Sequence, residues 1–193
     1  ERLFTDAGAP EGVFQVVRAL VEDVGGLIDD PRVHGVTFTG STRAGALVAA
    51  RAGAAIKPVV LELGGSDPFV VLADADLERA LEVAMTSRFG NNGQSCIAAK
   101  RWIIEAPVYD RFVRLAAERI EALECDDPAF ESTDVGPLAR EDLREALHAQ
   151  VQGSRFGGAR VVLGGETVGE RGFFYRPTLL AEVTPGMTAF VEE

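Results

Sequence analysis

The sequence predicts a parallel α/β fold. Short apolar runs that end at glycine turns alternate along the chain with longer segments of helical periodicity. The clearest case is residues 36–55, where a strand-like run is followed by a glycine turn and an alanine-rich helix. The composition agrees, because 47% apolar and 25% charged residues is ordinary for a folded α/β protein.

The first 64 residues predict strands that alternate with helices. We expect strands at residues 12–18, 33–39 and 59–63, a short helical stretch at 20–24, and a helix at 43–55. Ser41 or Thr42 can cap the second helix, since a hydroxyl oxygen accepts a hydrogen bond from a free N–H of the first turn.

The rest of the chain continues the alternation. We expect strands at residues 68–72, 102–104 and 160–163, extended segments around 173–180, and helices that begin at residues 74, 107 and 141. Pro107 suits the first turn of its helix, where no N–H is needed. The glycines that follow Val151 are expected to weaken the last helix, because each interior glycine costs about 1 kcal/mol.

Charge and cysteine content limit the class of protein. A net charge of −11 argues against nucleic acid or an anionic membrane as partner, since such binding needs clustered lysine and arginine. No run approaches the ~18 apolar residues that span a bilayer. Cys96 and Cys125 are too few for a disulfide framework, which favours reduced thiols and a cytoplasmic location. His34 and His148 lack ligand spacing with them, so no metal is predicted.

Cys96 ends a polar, glycine-containing loop at residues 89–96. A nucleophilic cysteine needs partial exposure and nearby backbone N–H groups. Gly90 and Gly93 allow the tight turns that bring such groups close to a substrate oxygen. The alternative is an ordinary small, partly buried thiol.

Glu62 interrupts an apolar run directly before a Gly64–Gly65 turn. A carboxylate at the end of a buried strand faces a desolvation cost, which is typical of a general base or acid. The alternative is a side chain that reaches solvent or caps the turn.

Gly40 and Ser41 lie between a strand-like run and a helix. A strand, a glycine turn and an open helix N-terminus together form an anion site suited to phosphate groups. The alternative is an ordinary strand–turn–helix with a good N-cap.

Taken together, these motifs resemble those of the NAD(P)-dependent aldehyde dehydrogenase superfamily, and most closely the succinate-semialdehyde dehydrogenase group. The matching segments are residues 38–42, 62–65, 92–101, 134–140 and 190–193. The resemblance implies part of the aldehyde dehydrogenase fold. Residues 1–64 would be the C-terminal part of a Rossmann-like NAD(P)-binding domain, and residues 65–193 an incomplete α/β catalytic domain that bears the thiol.

The resemblance also implies roles for single residues and a cofactor, NAD or NADP. Cys96 would be the nucleophile, Glu62 the general base, Gly40 and Ser41 the contacts to the cofactor pyrophosphate, Leu63 a backbone contact to the nicotinamide, and Glu193 the partner of its ribose. The substrate would be a small aldehyde, oxidised through a thiohemiacetal and a thioester. The parent enzyme would be a homo-oligomer.

The chain is expected to be a fragment with little or no dehydrogenase activity of its own. Two other functions stay open at this point: a non-catalytic remnant that binds a partner, and a CoA-acylating semialdehyde dehydrogenase. Glu62 speaks against the second, because acylating relatives often lack a carboxylate there.

Overall fold

The computed structural model describes residues 1–169 and 171–192 and divides the chain into two compact units, Glu1–Gly64 and Gly65–Glu193. The first unit contains the helices α1 (Arg2–Asp6), α2 (Val21–Asp29) and α3 (Thr42–Ala54) and the strands β1 (Val36–Thr39) and β2 (Val59–Glu62). No helix within the described ranges is both long and apolar enough to cross a membrane.

The strands β1 and β2 of the first unit are parallel, with Val36 opposite Val59 and Thr39 opposite Glu62. The helix α3 connects them along the chain. The predicted helices at 20–24 and 43–55 are confirmed as α2 and α3.

The predicted strand at residues 12–18 is wrong, because the structure shows a turn and irregular chain there. Its apolar side chains lack a neighbouring strand; Phe14 stacks on Phe4 with ring centres 4.6 Å apart, and Val16 donates its N–H to the Glu1 carboxylate at 3.1 Å. A strand needs a partner for its backbone groups, and apolar content alone does not supply one.

The second unit contains two two-stranded sheets with helices around them. Its elements are β3 (Pro68–Val71), α4 (Leu77–Phe89), a 3-10 turn (Gly90–Gly93), β4 (Arg101–Ile104), α5 (Ala106–Glu121), α6 (Glu141–Phe156), β5 (Arg160–Leu163), β6 (Leu179–Ala181) and α7 (Thr188–Val191). The strands β3 and β4 are parallel, whereas β5 and β6 are antiparallel, so the parallel prediction holds for only part of this unit.

The core of the second unit lies between the β3–β4 sheet and the helices α4 and α5. It is built from Val71, Leu77, Leu81, Ala84, Phe112, Ala116 and Ile120. The Trp102 ring of β4 packs edge-on against Phe112, with centroids 5.7 Å apart. The sequence placed the helix start at Asp74, but α4 begins at Leu77, because Asp76 caps it by accepting the Arg79 N–H at 3.2 Å.

The helix α6 runs past Val151 to Phe156, so the predicted weakening after Val151 does not end it. Glycine at position 153 allows close packing, since a Cβ there would lie 3.1 Å from Thr188 Oγ1 of α7. The neighbouring Ser154 is fully buried, and its hydroxyl oxygen accepts the Ala189 N–H at 2.9 Å. Close contact with α7 thus stabilises this end of α6.

Candidate active site

Cys96 lies in a turn between the 3-10 turn and β4. The Ala98 N–H donates to the Ser95 carbonyl at 2.9 Å, which closes the turn around the cysteine. The Cys96 thiol is free and exposed. The sequence prediction of an accessible loop cysteine is therefore confirmed, and the alternative of a partly buried thiol is not.

The chain enters this turn through three consecutive residues with left-handed backbone angles. Asn91, Asn92 and Gly93 have φ values of 53°, 56° and 72°. Asparagine and glycine tolerate this region better than other residues. A Cβ on Gly93 would also lie 3.0 Å from the Arg88 carbonyl, so both the angle and the space favour glycine there.

Two side chains of the loop bind it to the segment 136–139. Asn92 accepts the Gly136 N–H through Oδ1 at 2.9 Å and donates through Nδ2 to the Pro137 carbonyl at 3.2 Å. Gln94 accepts the Ala139 N–H at 3.1 Å. Sequence reasoning matched both segments to family motifs but assigned no role to Asn92 or Gln94. The Asn-Asn-Gly turn signal was available, whereas these contacts depend on the fold.

Gly65 holds the cysteine from another direction. A Cβ on Gly65 would lie 3.1 Å from the Cys96 carbonyl oxygen, so any larger residue at position 65 would require one of the two backbones to shift. The sequence indicated a turn at Gly65 and gave no sign of this contact.

The backbone N–H of Cys96 donates to no other group within the described part of the chain. The thiol of the same residue is exposed.

The carboxyl ends of β1 and β2 bring four of the predicted site residues together in the first unit. The Gly40 N–H donates to the Glu62 carbonyl at 3.0 Å. Ser41 caps α3 by accepting the Ala44 N–H at 3.3 Å. Leu63 packs against Gly45 of α3, where a Cβ would lie 2.4 Å from the Leu63 side chain. The strand ends and the helix N-terminus therefore meet at one edge.

The donor set at this edge fits the phosphate groups of a dinucleotide. The helix α3 has 13 residues, and its N-terminus presents free backbone N–H groups and the positive end of the helix dipole. A Cβ at position 40 would lie 2.7 Å from the Phe38 ring, so the packing of that ring favours glycine there.

Glu62 is exposed at the end of β2. The expectation of a buried strand is wrong, because burial alternates along β2 and Val60 is 58% exposed. The desolvation argument for an activated carboxylate therefore has no support within the first unit. Glu193, the expected ribose partner, lies outside the described residues.

The second unit contains a cavity of about 420 Å³ that Asn92, Lys100, Arg101 and Phe190 help to line. Cys96 is not among its lining residues. Lys100 donates to Gln150 Oε1 at 3.1 Å and also to the Glu192 carbonyl. The side chains of Lys100 and Arg101 thus contact the protein itself.

Cys125 differs from Cys96 in its surroundings. It is half-buried, and its thiol points at the Tyr175 carbonyl with 3.9 Å between sulfur and oxygen. Burial, followed by the nearby Asp126 carboxylate, raises the pKa of the Cys125 thiol, against a smaller opposing effect of Arg176. A raised pKa is typical of an inert, structural cysteine.

The sequence matches the model of the aldehyde dehydrogenase family over residues 1–193, and the chain therefore belongs to that family. The α/β class and the family resemblance are confirmed by this match and by the solved structure described below.

Two curated relatives and one solved structure illustrate the similarity. The NAD(P)+ succinate semialdehyde dehydrogenase Sad of Escherichia coli (strain K12) is 50% identical over 192 residues, which is 100% of this chain and 42% of that protein. The NADP+ succinate-semialdehyde dehydrogenase of Mycobacterium avium (strain 104) is 47% identical over 99% of this chain and 40% of its own length. An aldehyde dehydrogenase C mutant of Pseudomonas syringae, solved with NAD+ and octanal, superposes with a TM-score of 0.94 at 37% identity, covering 100% of this chain and 40% of that one. The chain thus spans about two fifths of the length of these relatives.

Proposed function

We propose that this chain carries the nucleophile and part of the cofactor site of an NAD(P)-dependent dehydrogenase that oxidises succinate semialdehyde to the acid. The observation that carries the proposal is the exposed thiol of Cys96, in a loop that Asn92 and Gly65 hold in place and whose Cys96 N–H donates to no group of residues 1–169 and 171–192. Membership of the family supports the choice of an aldehyde as substrate, and the similarity to the E. coli and M. avium succinate-semialdehyde dehydrogenases supports succinate semialdehyde.

In the proposed reaction, the Cys96 thiolate attacks the aldehyde carbon. A carbon–sulfur bond forms, and the carbonyl oxygen takes the negative charge of a thiohemiacetal. The Cys96 N–H donates a hydrogen bond to that oxygen and so stabilises the charge as it develops. Loss of hydride from the same carbon leaves a thioester on Cys96.

The cofactor is proposed to be NAD or NADP. When bound, its nicotinamide ring supplies the acceptor for hydride. Gly40 and Ser41 at the N-terminus of α3 are the groups of this chain that would contact its pyrophosphate. Leu63 would contact the nicotinamide through its backbone, and Glu193 would bind the neighbouring ribose.

Glu62 is proposed to take the proton from the water that hydrolyses the thioester. The hydroxide oxygen then bonds to the acyl carbon, the sulfur leaves as thiolate, and the acid is released. We propose that Glu62 and Cys96 act on the same bound substrate.

The test uses two proteins. One is the chain itself; the other is a chimera in which the chain replaces the matching 192 residues of the E. coli relative. We expect the chimera to reduce NAD+ or NADP+ with succinate semialdehyde, measured by the absorbance of the reduced nicotinamide. Cys96→Ala should abolish turnover. Glu62→Gln should retain one burst of reduced cofactor and accumulate an acyl-enzyme, visible as a mass increase.

Three results would contradict these assignments. Turnover by the Cys96→Ala chimera would show that Cys96 is not the nucleophile. Loss of the burst in Glu62→Gln would show that Glu62 is not the base of the hydrolysis step. Product formation that requires CoA would favour the acylating alternative. Cys125→Ala is the matched control, since that thiol is half-buried and has no role in the proposal.

A further inference from the structure

Arg101, the first residue of β4, donates two hydrogen bonds to one backbone carbonyl. Its Nε and Nη2 donate to the Ser66 oxygen at 3.0 and 2.7 Å. Two charge-assisted bonds from a planar guanidinium to one oxygen hold that carbonyl in a fixed direction. The same guanidinium lies over the Phe190 ring of α7, with its central carbon 5.0 Å from the ring centre.

The carbonyl that Arg101 holds belongs to the residue next to Gly65. Gly65 is the residue whose backbone contacts the Cys96 carbonyl, at the distance where a Cβ would lie 3.1 Å from that oxygen. Arg101 follows Cys96 by five positions in the chain. The segment from Cys96 to Arg101 is therefore held at both ends by the Gly65–Ser66 dipeptide.

We propose that Arg101 is a positioning residue for the nucleophile. It holds Gly65 and Ser66 against the Cys96 backbone and thereby fixes the direction of the Cys96 thiol and N–H. Its second contact, with Phe190, ties the same segment to α7. The catalytic consequence rests on the proposed function, whereas the restraint on the loop does not.

The restraint is tested on the chain itself by amide hydrogen exchange, using Arg101→Lys. Lysine keeps the charge and loses the two-pronged geometry. Arg160→Lys is the matched control, because Arg160 is also the first residue of a strand and donates to Glu182 at 3.0 Å in an exposed pair. Phe190→Leu removes only the stacking surface and provides a second variant in case Arg101→Lys does not fold.

We expect exchange in peptides covering residues 93–98 to accelerate about tenfold in Arg101→Lys, as loss of a charge-assisted hydrogen bond would give. Phe190→Leu should accelerate the same peptides by a smaller factor, and Arg160→Lys should leave them unchanged. Peptides from α5 should exchange normally in all three variants. Unchanged exchange at 93–98 in the variants of Arg101 and Phe190, or equal acceleration in α5, would overturn the proposal.

The catalytic consequence is tested in the chimera. Arg101→Lys should lower kcat about 10²-fold with little change in KM, because a misplaced nucleophile affects the reaction more than binding. Added methylguanidinium should partly restore kcat to Arg101→Ala, whereas methylammonium should not. A raised KM at unchanged kcat would overturn the positioning role. An inactive unmutated chimera would count against the proposed function, and the exchange experiment would still decide the inference.

Discussion

The Gly136 N–H donates a 2.9 Å hydrogen bond to Asn92 Oδ1 across 44 positions of the chain. Asn92 also has a left-handed φ of 56°. Asn92 therefore provides both a left-handed backbone conformation in the loop before Cys96 and the hydrogen bond that attaches this loop to a segment distant in sequence. The two roles can be separated by mutation, since glycine retains the first and alanine retains neither.

We expect Asn92→Gly to destabilise the second unit by about 1–3 kcal/mol, because the partly buried groups of Gly136 and Pro137 lose their partner. Asn92→Ala should cost about 1 kcal/mol more, since alanine is strained at positive φ. Urea unfolding measures both free energies. Equal stability of the two variants would show that the backbone angle is irrelevant.

The close approach of Gly65 to Cys96 predicts a steric effect. Gly65→Ala places a Cβ 3.1 Å from a backbone oxygen that has little freedom to move, and should destabilise the fold by about 1–3 kcal/mol. It should also slow any reaction of Cys96 that depends on the loop geometry. Gly90→Ala is the control, because the space around that position is open and its φ of −54° suits alanine. Comparable losses in both variants would contradict this explanation.

Removing the buried hydroxyl of Ser154 should lower the stability of the fold. Ser154→Ala leaves the Ala189 N–H without its acceptor and should lower the unfolding free energy by about 1–3 kcal/mol. Thermal and urea denaturation measure the change. The α6–α7 contact is the physical cause, so Ser154→Ala should also speed hydrogen exchange at residues 188–191, and protection there as in the unmutated chain would contradict it.

The two thiols should react at different rates. Iodoacetamide is expected to modify Cys96 first at neutral pH, since it is exposed, whereas burial raises the pKa of Cys125 and keeps it protonated. Modification of Cys125 should accelerate only when the pH exceeds the ordinary pKa range of a thiol, because the pKa of this thiol is raised. Mass spectrometry of Cys96→Ala and Cys125→Ala separates the two rates. If Cys125 reacted faster than Cys96 at neutral pH, Cys96 would not be the more accessible of the two thiols.

The sequence predicted the helices α3 and α5 well, because each carries its own signal. Ser41 caps the first, and Pro107 with the buried face around Phe112 defines the second. Such features act within one or two turns and can be recognised locally.

The strand expected at residues 12–18 failed because a strand is completed by a neighbour that no local pattern reveals. The same limit explains why Gly65 and Asn92 were missed as parts of the site. Their roles depend on contacts with Cys96 and Gly136, which are distant in sequence. The exposed loop position of Cys96 and the helix cap of Ser41 could be predicted because each depends on its own short segment, whereas the roles assigned to them came from the resemblance of the combined motifs and stay predictions.

The left-handed backbone angles at residues 91–93 have a consequence for protein engineering. Saturation mutagenesis at these positions should recover mainly asparagine, aspartate and glycine, because a positive φ is unfavourable for most other residues whatever their side chains contact. Ile97, directly after Cys96, has conventional backbone geometry and is 72% exposed. Substitutions meant to change the surroundings of the Cys96 thiol are therefore better directed at position 97 than at the loop that precedes it.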